Sequence, residues 1–558
     1  MHDQQSPSRA MFWVVLVGFS ILWFYGLGAR TLVPTDEGRY AEMAREMFAT
    51  GDWITTRLNG IKYFEKPPLQ VWMTALAFKL FGLGEWQARL WTGLCGLLGI
   101  AAVAFTGTKV FNQRVGLDAA LVLGSSVLWV ALGHVNTLDM GLSAMMTVSL
   151  CALLVAQRND ASTRERRSFM LVCWAGMALA VLSKGLIGVV LPGAVLVLYT
   201  FAARDWRIWL RLHLGIGLLL FFAIVTPWFV LVSLQNPEFP HFFFIHEHLQ
   251  RFTSKIHHRT GPLYYFVPIL LLGMVPWLGV LAQSLWQGMK REGNGFQPKI
   301  LLLVWAVFIF FFFSVSSSKL PSYILPIFPA LALLIACYLQ RVSRRIFMFN
   351  AGLLLALGVI GIASLGRLPA MSKSAFDLPL YQAYTPWVAA AAGIAIWGGI
   401  AALVVARRNV RLAVVAVSIA GYCVIQALML GHDPLGRYAA GIDHVRAVEA
   451  ELTPTTVIYA VDRYEQALPF YLRRTMTMVS HKDELEFGLQ QQPELWLPTI
   501  DAFLDEWLAG HAAGRNAIAL MPPATFDELT RRGVPMRVLG RDPRRVIVSN
   551  QFKRSSSP

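Results

Sequence analysis

Apolar residues in this chain come in long runs. Thirteen of them lie at about residues 11–28, 88–108, 115–133, 138–156, 169–182, 186–201, 212–233, 263–285, 300–315, 321–339, 346–365, 386–405 and 411–430. Most have the length a helix needs to cross ~30 Å of hydrocarbon, so each is predicted to span a membrane. Beyond residue 431 the pattern changes. Short apolar runs (Thr456–Val461, Ala517–Met521, Arg545–Val548) alternate with helical stretches such as Glu465–Arg474 and Ala524–Arg532. That pattern predicts a small α/β domain. The chain therefore divides into a membrane domain, 1–431, and a soluble domain, 432–558.

Composition agrees with this reading. The 558 residues are 56% hydrophobic and only 15% charged, where soluble proteins carry about 25% charge. A net charge of +16 would suggest nucleic acid on a soluble chain. Here the positive-inside bias accounts for it, and no nucleic-acid partner is expected. Lys109/Arg114, Arg158/Arg164/Arg166/Arg167, Arg204/Arg207/Arg211, Lys290/Arg291/Lys299, Arg341/Arg344/Arg345 and Arg407/Arg408/Arg411 occupy alternate loops. They share one side only if a further apolar stretch, 67–82, does not cross. It is therefore predicted to be an interfacial helix, with Pro67 and Pro68 in its first turn. The expected topology has the N-terminus in the cytoplasm and the soluble domain outside. The first run, after Arg9, reads as a retained signal anchor. The five cysteines all lie inside apolar runs without paired spacing, as packing residues do.

With this topology, the outward loops hold cations that the positive-inside bias does not explain. In loop 29–66, Pro34-Thr35-Asp36 marks a helix start, and Tyr40, Met43, Ala44, Met47 and Phe48 form an apolar face at helical spacing. Asp36, Glu37 and Arg39 fall in its first turn; an ordinary capped surface helix would look the same. Tyr63, Glu65 and Lys66 precede the interfacial helix. Asp139 and Lys184 are ionisable groups at the outward ends of apolar segments, where the plainer alternatives are an N-cap and a snorkelling lysine. His246, Glu247 and His248 lack the His-Glu-x-x-His spacing of a helical zinc site, and nearby Arg251 suits phosphate contact. Lys319 and Tyr323, four apart, face one way on a helix. Mixed charge converging on one membrane face, with few polar groups at mid-membrane, favours interfacial chemistry on a phosphorylated lipid over transport.

As an ordered set, Asp36-Glu37, Tyr63-Phe64-Glu65-Lys66-Pro67-Pro68, Asn136-Thr137-Leu138-Asp139, Leu182-Ser183-Lys184-Gly185, His246-Glu247-His248-Leu249-Gln250-Arg251-Phe252 and Lys319-Leu320-Pro321-Ser322-Tyr323-Ile324-Leu325-Pro326 resemble the bacterial 4-amino-4-deoxy-L-arabinose lipid A transferases. These are grouped with the protein O-mannosyltransferases in the GT-C glycosyltransferase class. The resemblance spans the membrane domain and is thin beyond it.

It implies a GT-C fold with about 13 transmembrane helices and a periplasmic α/β domain. It also implies transfer of aminoarabinose from undecaprenyl phosphate to a lipid A phosphate at the outer face of the bacterial inner membrane, with resistance to polymyxin. The implied catalytic set is Asp36, Glu37, Glu65 and Asp139. Phosphate and lipid-donor contacts fall to Arg39, Tyr63, Lys66, Lys184, Arg251, Lys319 and Tyr323. Glu65 with His246 is the candidate pair for a divalent metal, zinc or magnesium. A monomer and an inverting displacement are expected. The rival readings are a related transferase such as a protein O-mannosyltransferase, a polyprenyl-lipid transporter, and a binding module on a membrane anchor.

Overall fold

A computed structural model describes residues 9–250, 261–291, 293 and 295–551. Among these, nine helices are long and apolar enough to cross a membrane, and a pair bent by 114°, Leu263–Gly273 with Leu278–Gly288, makes a tenth if its two halves are taken as one span. The protein is a multi-pass membrane protein. Of the other predicted spans, Ile187–Ala203 and the N-terminal helix Arg9–Gly28 are apolar helices of 17 and 20 residues.

The run 115–133 is broken into Gln113–Leu123 and Val127–Leu132. At the break the hydroxyls of Ser125 and Ser126 donate to the carbonyls of Leu121 and Val122, at 2.6 and 2.7 Å. The Val127 N–H crosses to the carbonyl of Val275 at 3.2 Å, and the Trp277 indole donates to Ser125 Oγ at 3.0 Å. Two interrupted helices thus satisfy each other's backbone, as low-dielectric surroundings require.

The predicted basic loops meet at one end of the bundle. Arg158 donates to the Lys109 carbonyl at 3.0 Å, Arg291 to that of Ala202 at 2.8 Å, and Gln340 to Asp118 at 2.7 Å. At the other end lies the first loop. A helix, Asp36–Thr50, is followed by a two-strand hairpin, β1 (Arg57–Leu58) and β2 (Ile61–Lys62), and a second helix, Leu69–Phe81. This second helix has 13 residues, about 20 Å of rise, too little to cross.

The C-terminal region folds as an α/β domain around a six-stranded sheet. Its strands are β3 (Val457–Val461), β4 (Thr477–Val479), β5 (Trp496–Leu497), β6 (Ala517–Met521), β7 (Arg537–Arg541) and β8 (Val546–Ser549), in the spatial order β5-β4-β3-β6-β8-β7. β5, β4, β3 and β6 run parallel, while β8 and β7 join antiparallel. Strands β4, β5 and β7 are too short or too polar to have been predicted.

Alternation along the strands gives the sheet two apolar faces. Tyr459, Val461, Ala519, Val546 and Val548 pack on Phe503 and Trp507 of the helix Ile500–Ala512. On the other face, Ile458, Ala460, Met478, Ile518, Leu520 and Ile547 share one core with Tyr40, Met43, Ala44 and Met47 of the first-loop helix and Val71, Ala75 and Phe78 of the interfacial helix. The domain's own Leu468, Phe470, Leu485 and Leu489 join the same core, so this face is shared between the soluble domain and the first loop. Glycines allow close approach on both sides: a Cβ at Gly38 would stand 2.7 Å from the Ala467 Cα and the Gln466 carbonyl oxygen, and one at Gly488 would stand closer still to the Lys62 carbonyl oxygen.

Candidate active site

Two acids, adjacent in sequence, open the first-loop helix. Negative charge is favoured there by the helix dipole, but the two have separate fates. The Asp36 side chain is 40% exposed and lies 3.3 Å from Arg39. That of Glu37 is 1% exposed. Arg89 grips Glu37 with its Nε at 2.6 Å and one Nη at 2.9 Å, and Arg30 adds a contact at 3.3 Å. The backbone N–H groups of Val33 and Asn136 each donate to it at 2.9 Å. Burial alone would push the Glu37 carboxyl up; Arg89 and Arg30 outweigh it and hold the group down at about 2. Arg89 spends its remaining N–H groups on the carbonyls of Leu27, Arg30 and Thr31, at 2.7–2.9 Å. Glu37, expected among the catalytic acids, is thereby placed in a closed structural knot.

The other candidates gather beside Asp36. Asp139 sits in the first turn of Leu138–Ala156 and Lys184 ends Thr163–Lys184, each at the helix terminus that favours its charge. The two form an ion pair, and the Lys184 ammonium lies 4.8 Å over the Tyr323 ring. Both Leu138–Ala156 and Pro321–Leu339, which carry Asp139 and Tyr323, are central helices with most of their length buried. Lys66 donates to the Glu65 carbonyl at 2.9 Å and stands 3.8 Å from its carboxylate. The phenol of Tyr40 is raised by burial first, then by the charges of Asp36, Glu65 and Asp139 against an opposing Arg39. All three acids therefore lie within electrostatic reach of the Tyr40 phenol.

The soluble domain contributes Glu484, which no sequence signal had marked. It pairs with Arg39 at 2.5 Å and accepts a hydrogen bond from Gln466. Burial raises its carboxyl to about 7, Glu65 assists and Arg39 opposes. Close by, the Tyr63 hydroxyl, Arg39 Nε and the Gln466 side-chain oxygen are buried with no hydrogen-bond partner among the described residues. Buried polar groups of this kind can hydrogen-bond with a polar ligand or with water.

Two family models match the chain. One, the aminoarabinose transferase C-terminal domain, covers residues 444–550, and the other, dolichyl-phosphate-mannose-protein mannosyltransferase, covers 65–231. An undecaprenyl phosphate-alpha-4-amino-4-deoxy-L-arabinose arabinosyl transferase of Proteus mirabilis is 30% identical over 390 residues, 68% of this chain and 69% of the relative. The crystal structure of ArnT from Cupriavidus metallidurans bound to undecaprenyl phosphate superposes with a TM-score of 0.92 and 41% identity, covering 98% of this chain and 99% of that one. The chain belongs to the aminoarabinose transferase family. In the same family, the Edwardsiella ictaluri transferase is 31% identical over 63% of this chain, and the match spans 64% of that relative's length. The Yersinia enterocolitica transferase is 27% identical over 93% of this chain and 94% of its own.

Within this aminoarabinose transferase fold, Asp36, Arg39, Tyr63, Glu65, Lys66, Asp139, Lys184 and Tyr323 come to the same end of the bundle. Lys319 lies beside the Pro298–Val315 helix. Its ammonium caps a helix C-terminus through the Ser314 carbonyl at 2.7 Å and lies 5.6 Å over the Phe266 ring. Arg251 falls outside the described residues. The His246 ring stacks on Phe242, which stacks on Phe487 of the soluble domain. Among the described residues no group of three or more His, Cys, Asp or Glu is arranged to hold a metal.

Two variants test these roles. At neutral pH, Glu37→Gln should cost about 3 kcal/mol of stability, because a buried ion pair is broken. A depressed carboxyl stabilises above its ordinary value of 4.5 and loses that contribution as pH falls towards about 2. Thermal unfolding of the purified variant and wild type should therefore converge in acid. If Glu484 positions Arg39 only when ionised, turnover should rise through about pH 7, and Glu484→Gln should lack that limb in its pH–rate profile. A limb that persists unchanged would assign it to another group.

Proposed function

We propose that the protein is a lipid-linked-sugar glycosyltransferase that moves 4-amino-4-deoxy-L-arabinose from undecaprenyl phosphate to a phosphate of lipid A. The observation that carries this reading is the set of cations, acids and unpartnered buried polar atoms around Asp36, Arg39, Tyr63 and Lys66. The donor follows from the family. The chain is read as an inner-membrane protein with its N-terminus in the cytoplasm and the site and soluble domain in the periplasm, because the basic loops gather at the far end of the bundle. It acts as a monomer in this reading, and masking lipid A phosphate would give polymyxin resistance.

The reaction is a displacement at the anomeric carbon through an oxocarbenium-like transition state, with inversion in a single step. Charge develops on the departing polyprenyl phosphate. Lys66, Arg39 and Arg251 meet that charge, and the Tyr63 hydroxyl donates to it. The acceptor phosphate is already anionic and needs little help from a base. Asp36, the more exposed of the two adjacent acids, holds the sugar's amino or hydroxyl groups or takes the acceptor's remaining proton. Glu65 and Asp139 orient Lys66 and Lys184.

A divalent metal is a candidate addition, held by Glu65 and His246. One carboxylate and one imidazole suit zinc, and water or substrate oxygens would have to complete the shell. When bound, it would supply positive charge beside the donor phosphate. Metal content of the purified wild type should exceed that of Glu65→Gln; equal content would remove the metal from the site.

The transfer itself is tested in a Gram-negative strain that lacks its own transferase but makes the lipid-linked donor. Wild type should restore polymyxin survival and add one aminopentose mass to lipid A. Asp36→Asn and Lys66→Ala should each reduce the modified fraction at least about 100-fold while inserting and folding normally, as the loss of a transition-state contact predicts. Full activity in either variant would remove that residue from the mechanism.

A further inference from the structure

A second basic cleft, of 410 Å³, opens where the first-loop helix ends. Its walls come from three elements: Arg45 and Glu46 on the helix, Arg57 on β1, and Arg473, Arg474 and Thr475 on the soluble domain. The walls are locked together by Asn59. Its amide donates to the Met476 carbonyl at 2.6 Å and accepts from the Met476 N–H at 2.7 Å.

The charges in the cleft are unevenly matched. Arg45 is neutralised by a two-pronged contact with Glu42 at 2.6 Å. The Glu46 carboxylate faces the hairpin, accepting from the N–H groups of Asn59 and Gly60 at 2.5 and 2.7 Å. Its proton affinity is raised by burial and by Glu42, which weakens it as a counter-charge. Among the described residues, Arg57, Arg473 and Arg474 make no ion pair with any carboxylate. Arg57 uses one N–H on the Gly60 carbonyl at 3.1 Å, and Arg474 uses two on those of Thr453 and Pro454 at 3.1 and 3.3 Å. A guanidinium has five N–H groups, so donors remain on each. Arg473 holds a left-handed backbone position (φ 55°) that glycine or asparagine fills at lower cost. Three unneutralised guanidinium groups around one cleft select a phosphate, which they can grip in pairs.

The cleft is also placed in register with the active site. Arg39 and Glu46 are seven residues apart, two helical turns, so they share one face about 10 Å from each other along the axis. Arg39 belongs to the site and Glu46 to the cleft. The geometry points to the Arg57–Arg473–Arg474 cleft as an accessory phosphate site, holding a second phosphate of a multiply phosphorylated glycolipid acceptor while the first is at Asp36. This rests on the lipid A reading above and adds that the enzyme selects acceptors by their second phosphate.

The test uses the full-length protein in detergent, with bisphosphorylated and monophosphorylated lipid A as probes. In Arg473→Gln/Arg474→Gln, and separately in Arg57→Gln on the opposite wall, KM for the bisphosphorylated acceptor should rise about tenfold. The donor KM and kcat should move less than about twofold, and wild type should bind the bisphosphorylated lipid more tightly than the monophosphorylated one. An acceptor KM that stays put, or a fall in kcat together with melting temperature, would overturn the assignment. Inorganic phosphate binding lost in the variants, with acceptor KM unmoved, would give the cleft to a free anion and overturn the lipid assignment. The binding arm needs no turnover. Tighter binding of the bisphosphorylated lipid by wild type than by the variants would support the cleft even if no transfer to lipid A occurred.

Discussion

The site depends on one buried carboxylate being fully paid for in hydrogen bonds. Glu37 accepts from two arginines and two backbone amides, and Arg89 has every N–H group engaged. An isolated charge at this depth would be prohibitive, so each member of the knot fixes the others. The members come from the end of the first helix, the start of the span Glu85–Val110, the first-loop helix and the turn before Leu138. Four segments are thereby given one relative position. Asp36, Arg39 and Asp139 are all within a turn or so of a knot residue, and their mutual geometry is set by it.

The second constraint is the shared core beneath the first loop. The sheet of the soluble domain has two apolar faces, and one lies in a core built from the domain's own residues alone. The other needs Tyr40, Met43, Ala44 and Met47. Docking there brings the Gln466–Ala467 backbone against Gly38 and sets Glu484 against Arg39. The domain is part of the active-site wall, held by apolar burial and joined to the chemistry through the Arg39–Glu484 ion pair.

Much of this was legible in the sequence, for reasons that can be named. Long apolar runs, basic loops in alternate positions and the switch to short alternating segments after residue 431 gave the membrane domain, the non-crossing helix and the α/β domain. The break at Gly124-Ser125-Ser126 was not visible, because the groups that repair it, Val275 and Trp277, are remote in the chain. Arg89 could have been found. It is a cation at the start of an apolar span, at the end of the bundle away from the basic loops, and it asks for a buried partner. Glu484 could not, since Asp483-Glu484 reads as an ordinary polar turn and only tertiary docking turns one of its carboxylates towards Arg39. The contact of Lys319 with the end of its neighbouring helix was equally hidden, because a lysine beside a polar turn does not show that a helix C-terminus stands next to it.

Asp36 and Glu37 show why residue type and loop position were not enough to assign a role. Consecutive helical residues point about 100° apart. That one step sends Glu37 inward to Arg89 and leaves Asp36 at the rim, with its side chain 40% exposed against 1%. A carboxylate with all its acceptor sites filled and its proton affinity driven down is a poor base and cannot reach a substrate. A carboxylate at the rim, paired among the described residues with Arg39 at 3.3 Å, keeps lone pairs for a sugar or an acceptor. The structural acid is therefore what allows the exposed one to be held in place, and a shift of one residue in helix register would exchange their roles.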